Sequence, residues 1–442
     1  MEASSAKDKG SSRIDGGGNY FVSNYPPYPF WSTKALPETL NALQRAPEEQ
    51  TPLGVYIHVP FCRQRCHFCY FKVYTGRTAK DVEHYMKVLA EEARLISQVP
   101  RFKGRTPRFL YFGGGTPSYL SQKLFSAFME NLSQSFDLST IEEFTFECEP
   151  GTISLEKLKA LKKAGVTRAS IGVEHFDDRV LVTNNRAHNK KAIMKAFDNA
   201  RKAGFSQINL DLIAGMPGDD DEKWFETVSQ TIALLPESVT IYQLEFPYNT
   251  TFSKWDREQG GLPTEAPSWE TKRRWLREAF DRLEQAGYEL TSGYTARLKS
   301  SKASFIYRDA LWSGADMLGL GVSAFSHVEG HHFQNEKEIE RYIEKIEKGE
   351  LTLARGYNLS DTESLIRECI LQLKHGRLRL DYFQRKFGVN LTSFFKEPLD
   401  SLEKSGLMSR NKDTLSLNRE ALLQVDALLP QFFLPQHSSQ LK

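Results

Sequence analysis

The sequence predicts an α/β fold: a partial (β/α)6 barrel of the TIM type with a small C-terminal, mostly helical, winged-helix-like domain. Three observations predict it. From residue 51 onward, apolar strand-like runs alternate with helical stretches of about 12 to 18 residues, the pattern of βαβ units and a parallel sheet. Six such runs precede a change of pattern, enough for a strongly curved sheet and short of the eight that close a barrel. Beyond residue 359 the pattern becomes short helices around one hairpin, and 442 residues suffice for two or three domains.

Taken in order, residues 1–50 read as a flexible tail and an arm. The stretch "MEASSAKDKGSSRIDGGGNY" has neither residues to bury nor the apolar core of a secretory signal. Residues 21–50, rich in Pro and aromatics, read as an ordered arm laid over the body and ending in a short helix. The core barrel spans 51–300. Its strand runs are "GVYIHV" (54–59), "RFLYF" (108–112), "EFTFE" (143–147), "RASIGV" (168–173), "INLDLI" (208–213) and "VTIYQL" (239–244). Helices fall near 81–97, 121–135, 154–164, 190–203 and 221–235, and Gly165 and Gly204 stand where two of them stop. A long helix at 268–286 ends at Gly287, and a strand-like "YELTSGYTA" follows. Residues 301–358 read as a connecting segment that completes the site, with 318–335 as a tight, buried turn region. The domain at 359–442 shows helices near 361–374, 380–387, 395–405 and 418–428, and a hairpin at 407–417 turning through "RNKD".

Composition narrows the function. Lys and Arg number 58 against 56 Asp and Glu, and no dense basic face marks the winged-helix-like domain. A capping or docking role is expected for it, with no nucleic-acid partner, because phosphate binding needs clustered cations. No run of 18 apolar residues exists, so no membrane span is expected and the cytoplasm is the expected location. Thiols stay reduced there, and clustered cysteines then point to metal or redox chemistry.

Three of the five cysteines lie in "HVPFCRQRCHFCYFKVY" (58–74), as Cys62, Cys66 and Cys69. Thiols packed as small apolar groups would be poorly served by Arg63, Gln64, Arg65 and His67 around them. Zinc wants four ligands, and His67, the nearby candidate, directly follows Cys66. A [4Fe–4S] cluster takes cysteine thiolates, and three of them leave one iron open to a cofactor or substrate. Cys148 and Cys369 fall in apolar stretches and read as core. The loop follows the first strand, where such barrels place their active sites. Other strand ends bring "GGGTP" (113–117), Glu147, Glu149, Glu174, Asp211 before "AGMPG" (214–218), Gln243 and Glu245 to the same rim. Tyr56 and His58 share one face of the first strand by the two-residue period. Each group alone reads as an ordinary turn or cap; gathered at one rim they predict a site.

These stretches carry a resemblance. "CRQRCHFC" resembles the C-x3-C-x2-C loop of radical S-adenosylmethionine (SAM) enzymes. "YIHVPFC", "GGGTPS", "SIGVEHF", "NLDLIAGMPG" and "GVSAFSH" resemble the oxygen-independent coproporphyrinogen III oxidase family, which includes haem chaperones, over roughly residues 51 to 430. The resemblance implies that Cys62, Cys66 and Cys69 hold a [4Fe–4S] cluster whose open iron is chelated by SAM. It implies that Gly114, Gly115 and Thr116 line the methionine end, and that Tyr56, Phe68, Glu147, Glu174, Arg186 and Asp211 contact one or two SAM molecules. Tyr56, Glu147 and Glu174 are the implied catalytic residues. The implied activity is cleavage of SAM to a 5′-deoxyadenosyl radical and oxidative decarboxylation of a tetrapyrrole-like substrate, with flavodoxin or ferredoxin as electron donor. Three departures stand out. Phe71 replaces a further cysteine of the oxidases, Glu174 replaces a glutamine with an expected anion, and "YRDALW" (307–312) replaces the chaperones' H-N-x-x-Y-W. A class C radical SAM methyltransferase and a haem-binding chaperone share this scaffold and stay open as alternatives.

Overall fold

The computed structural model describes residues 21–47 and 51–438. The tail read from residues 1–20 lies outside the described residues. The arm crosses the body and ends in α1 (Leu36–Leu43), as expected. Ser32 and Gly356 exchange both backbone hydrogen bonds, at 2.8 and 3.0 Å, and fasten it.

The core then alternates β1 (Leu53–Val59), α2 (Ala79–Ser97), β2 (Pro107–Gly114), α3 (Gln122–Ser135), β3 (Glu143–Cys148), α4 (Leu155–Lys163) and β4 (Arg168–Glu174). Two helices, α5 (Asp178–Thr183) and α6 (Lys190–Lys202), lead to β5 (Ile208–Ala214), α7 (Asp221–Leu234) and β6 (Ser238–Gln243). The helix starts are written in the sequence. Thr78, Ser121, Ser154, Asn189 and Asp220 each accept a backbone N–H of the first turn through the side chain. All six strands are parallel and stand side by side in chain order.

The sheet does not stop at six strands. After α8 (Thr251–Gln259) and α9 (Trp269–Gln285), β7 (Tyr288–Leu290) and β8 (Thr295–Leu298) form a hairpin, and β8 pairs antiparallel with β6. Past α10 (Ile306–Trp312), β9 (Asp316–Leu320) pairs parallel with β1. Then β10 (Phe325–Val328), β11 (His331–Asn335), α11 (Ile339–Glu347) and β12 (Leu353–Asn358) carry the sheet outward to twelve strands. Residues 318–335 are therefore three strands, not a turn region. Their strands of four and five residues, broken at Gly321, Ser323 and Gly330, are too short to print a period in the sequence. A buried carboxylate fixes them. Glu92 of α2 accepts from the Gly321 N–H (2.6 Å), Asn335 Nδ2 (2.7 Å), the Tyr342 hydroxyl (2.7 Å) and Thr352 Oγ1 (3.1 Å).

The C-terminal part comprises α12 (Asp361–Leu373), β13 (Arg377–Arg379), α13 (Leu380–Phe387), α14 (Leu391–Phe394), α15 (Lys396–Lys404), β14 (Met408–Arg410) and β15 (Thr414–Leu417). The expected last helix is split into α16 (Arg419–Leu423) and α17 (Val425–Leu428), and α18 (Pro435–Ser438) ends the described chain. The hairpin gains a third strand, in the order β13-β15-β14. This part has its own core, and Val22 and Tyr25 of the arm are buried in it.

The two faces of the parallel strands differ in kind. Val55, Ile57, Val59, Leu110, Phe112, Ile171, Leu210 and Ile241 face the helices in one continuous core. By strand alternation the inner face carries Tyr56, His58, Tyr111, Thr145, Glu147, Ser170, Asp211, Thr240 and Tyr242, with Ile213 at the end of β5 as its aliphatic exception. An inner face of rings and polar groups cannot pack itself dry, which leaves it for a ligand.

Candidate active site

The loop after β1 carries the three cysteines and is pinned at both ends. The Cys62 N–H donates to Tyr74 O (3.1 Å), and the Tyr74 N–H to Pro60 O (2.8 Å). Its middle is held by the turn after α5. The His67 N–H donates to Asn184 O (3.2 Å), Gln64 Nε2 to Asn185 O (3.0 Å) and Asn185 Nδ2 to Arg65 O (2.8 Å). Asn184 Nδ2 also reaches Pro217 O at 3.0 Å, which joins the "AGMPG" turn to the same assembly.

The glycines after β2 allow the loop to close in. A Cβ on Gly115 would lie 2.9 Å from Phe61 O and 3.0 Å from Cys62 Sγ. One on Gly114, at φ +111°, would strike the His58 ring at 2.6 Å. Thr116 Oγ1 lies 3.3 Å from Cys62 Sγ, and Arg186 Nη1 donates to Cys66 Sγ at 3.1 Å. Burial pushes the Cys62 thiol up to about 11 and the Cys69 thiol up to about 12. Cys148 and Cys369 are buried in the two cores, as expected.

The expected site residues fall in two groups. Arg186 reaches Cys66, Gly172 O (3.0 Å) and the Glu174 carboxylate (3.4 Å), so it bridges the thiol loop to the end of β4. Glu174 is directed there by a register shift against β5 and a positive φ of 62°. Burial pushes its carboxyl up to about 7. The sequence led us to expect an anion at Glu174; the buried setting brings the neutral acid, which hydrogen-bonds as the replaced amide would, within reach at neutral pH. Glu149 is held below the ordinary range: burial would raise it, but His188 (2.9 Å) and the Gly151 N–H outweigh that.

The second group lines the inner wall. Glu147 accepts from the Tyr111 hydroxyl (2.7 Å) and the Gly114 N–H (3.2 Å), and burial pushes it up to about 7. Asp211 accepts from Ser170 Oγ (2.8 Å) and Asn209 Nδ2 (2.9 Å) and is raised by burial. The Tyr56 hydroxyl shares a hydrogen bond with His58 Nδ1 (3.2 Å), and burial lowers His58 to about 4, so the pair is neutral. Phe68 packs, partly buried, against an apolar cluster of Val180, Ile213, Met216 and Leu244.

Four residues of this wall went unnamed in the sequence reading: Tyr111, Arg168, Phe305 and Tyr307. Tyr56 stacks on Tyr111 (5.8 Å, 23°), Tyr111 on Tyr307 (4.4 Å, 35°), and Tyr307 on Phe305 (6.0 Å, 27°). Arg168 lies over Phe305 at 4.0 Å. The signal for Arg168 was present in "RASIGV", as a cation on the inner register of an otherwise apolar strand. Phe305 and Tyr307 gave none, since they arrive from more than 100 residues downstream.

Comparison with known proteins agrees with this geometry. The Radical SAM superfamily model matches residues 56–230. An oxygen-independent coproporphyrinogen III oxidase of Escherichia coli is 28% identical over 426 residues, covering 92% of this chain and 91% of that protein. The Salmonella typhimurium protein of the same name is 28% identical over 400 residues, 87% and 86% of the two chains. The heme chaperone HemW of Bacillus subtilis is 28% identical over 375 residues, 84% and 96%. The solved structure of coproporphyrinogen III oxidase (HemN) from Escherichia coli, described as a radical SAM enzyme, superposes with a TM-score of 0.81 at 26% identity. It covers 93% of this chain and 96% of that one.

Radical SAM proteins hold a [4Fe–4S] cluster and SAM, and the residues here fit both. Among the described residues, no three Cys, His, Asp or Glu side chains meet as ligands of a single ion. Three thiols on a pinned loop, one of them against a glycine that leaves room for nothing larger, suit a cluster with separate corners. Arg186 supplies a cation, the glycine turn close backbone, and the buried acids hydrogen-bonding groups suited to a sulfonium amino acid. The chain thus carries the radical SAM match around its thiol loop and is similar, over nearly its whole length, to oxygen-independent coproporphyrinogen III oxidases.

Proposed function

We propose that the enzyme acts on a tetrapyrrole-like substrate and that its reaction is oxidative decarboxylation of the coproporphyrinogen III type. The observation that carries this reading is the inner wall, where four partly exposed rings, Tyr56, Tyr111, Tyr307 and Phe305, adjoin one another. Such a wall offers the apolar area that a large conjugated ligand needs.

When bound, the cluster supplies one electron for cleavage of SAM, which starts hydrogen abstraction from the substrate. The chain's own part is placement. Cys62, Cys66 and Cys69 hold the cluster, and Arg186 orients the middle of their loop through Cys66 Sγ. Gly114 and Gly115 admit the methionine end of SAM against backbone, with Thr116 beside it. Glu147 holds a proton at or near neutral pH, and its hydrogen bonds from Tyr111 and Gly114 keep it aimed inward. Tyr56, Glu174 and Asp211 complete the wall that contacts SAM. The neutral Tyr56–His58 pair adds no charge there, and the Phe68 cluster closes one side against water. The electron donor in this reading is a flavodoxin or ferredoxin, and the location is the cytoplasm; no helix among the described residues is long and apolar enough to cross a membrane.

A haem-chaperone reading is favoured by one observation, the match that covers 96% of HemW. One experiment separates the readings. Anaerobically reconstituted, reduced protein is given SAM and coproporphyrinogen III. Carbon dioxide with 5′-deoxyadenosine is the expected result. Tight haem binding without 5′-deoxyadenosine would replace the oxidase by the chaperone, and S-adenosylhomocysteine would mark a methyl transfer.

A further inference from the structure

We propose that Arg168 is a carboxylate receptor inside the barrel, taking an acidic group of the ligand that lies along the aromatic wall. The inference rests on the tetrapyrrole reading above and extends it to a residue and a subsite.

Arg168 is the first residue of β4 and shares the inner face with Ser170 and Gly172. It is 2% exposed, and its guanidinium sits 4.0 Å from the centre of the Phe305 ring. Its Nη1 is buried without a hydrogen-bond partner, and the side chain makes no ion pair among the described residues. Arg308 stands at the same ring, 5.4 Å away, but is committed: Nε donates to Asp309 (2.7 Å) and Nη1 to Ser292 Oγ (3.2 Å).

The acids that share this space are committed as well. Glu143 accepts from the N–H groups of Ile306 (2.8 Å) and Tyr307 (3.2 Å). Asp211 is taken by Ser170 and Asn209, and Glu147 by Tyr111 and Gly114. Glu143, Glu147 and Asp211 feel the Arg168 charge without touching it, and a buried donor left without an acceptor carries a desolvation cost. A planar guanidinium held over an aromatic ring has a two-pronged donor edge that a carboxylate matches. The plainer reading makes Arg168 a distant counter-charge for these acids, a task a lysine would perform as well.

Two ligands of this enzyme class carry the required group: a propionate-type side chain of the substrate, and the amino-acid end of SAM. Binding is measured on the cluster-reconstituted full chain without oxygen. Fluorescence titration gives the affinity for coproporphyrin III and for its tetramethyl ester, and equilibrium dialysis gives that for SAM. Arg168→Gln is expected to weaken coproporphyrin III binding at least tenfold and leave the ester unchanged. Arg168→Lys, which keeps the charge without the fork, is expected to lose most of the same affinity, and it carries the comparison should the glutamine variant fold poorly. Loss confined to SAM would assign the receptor to the cofactor's carboxylate. Wild-type affinity of both variants for all three ligands, or equal loss of acid and ester, overturns the inference and leaves the tetrapyrrole reading standing. A wild-type protein that binds neither porphyrin refutes that reading itself, and the SAM titration then decides whether Arg168 receives a carboxylate.

Discussion

The two faces of β1 differ more than most neighbouring surfaces in a protein. Val55, Ile57 and Val59 are sealed in the helix-facing core, while Tyr56 and His58, one residue away in each case, lie on the inner face. The same alternation runs through β2 to β6, broken by Ile213 at the end of β5. It separates stability from chemistry residue by residue: the outer positions supply burial, and the inner ones, freed from holding the fold, supply rings, acids and the approach to the thiol loop.

Substitutions test that separation, and the largest effect belongs to the loop. Cys66→Ala is expected to abolish iron and sulfide incorporation and all SAM cleavage, since two thiolates hold a cluster too poorly. Cys369→Ala, in the C-terminal core, should keep the full iron content, measured on anaerobic protein. Loss of iron in the latter would break the assignment of ligands. Next comes Gly115→Val. Its side chain would meet backbone at Phe61 and sulfur at Cys62, so iron content and SAM cleavage should fall more than tenfold while far-UV circular dichroism is retained.

The outer face gives the reverse outcome. Ile57→Ala removes a fully buried side chain and should cost about 3 kcal/mol in denaturant unfolding, with SAM cleavage per folded molecule unchanged. A variant that lost activity in the folded state would show that the faces are coupled. The smallest effect is one of pH. The Glu147 carboxyl is pushed up from 4.5 to about 7, so folding favours its neutral form. That stabilisation is complete below about pH 4.5 and is lost as pH rises through about 7. Wild-type stability should therefore fall by about 2 kcal/mol more than that of Glu147→Gln between pH 5 and pH 8, read from unfolding midpoints across the range.

Local signals in the sequence carried much of this. The strand rhythm, the glycines that stop two helices and the three-cysteine loop are each contained in a few consecutive residues, and all appear where expected. The acids at the ends of β3, β4 and β5 were legible for the same reason. What stayed hidden depends on distant partners. The strands from β9 to β12 are short and glycine-broken, and their identity comes from pairing with β1 and from Glu92, some 230 residues earlier in the chain. Phe305 and Tyr307 enter the wall only because α10 is seated on the Glu143 carboxylate. The neutral-leaning Glu174 could not be read either, because its acidity depends on how deeply the fold encloses it.

The arm has a bearing on synthesis. Val22 hands its N–H to Asp426 and its carbonyl to Lys374, and Tyr25 meets His437 near the opposite terminus. A ribosome emits Val22 and Tyr25 some 400 residues before their berth exists. A nascent chain must therefore hold this part of the strap without its final partners until α16, α17 and α18 have emerged.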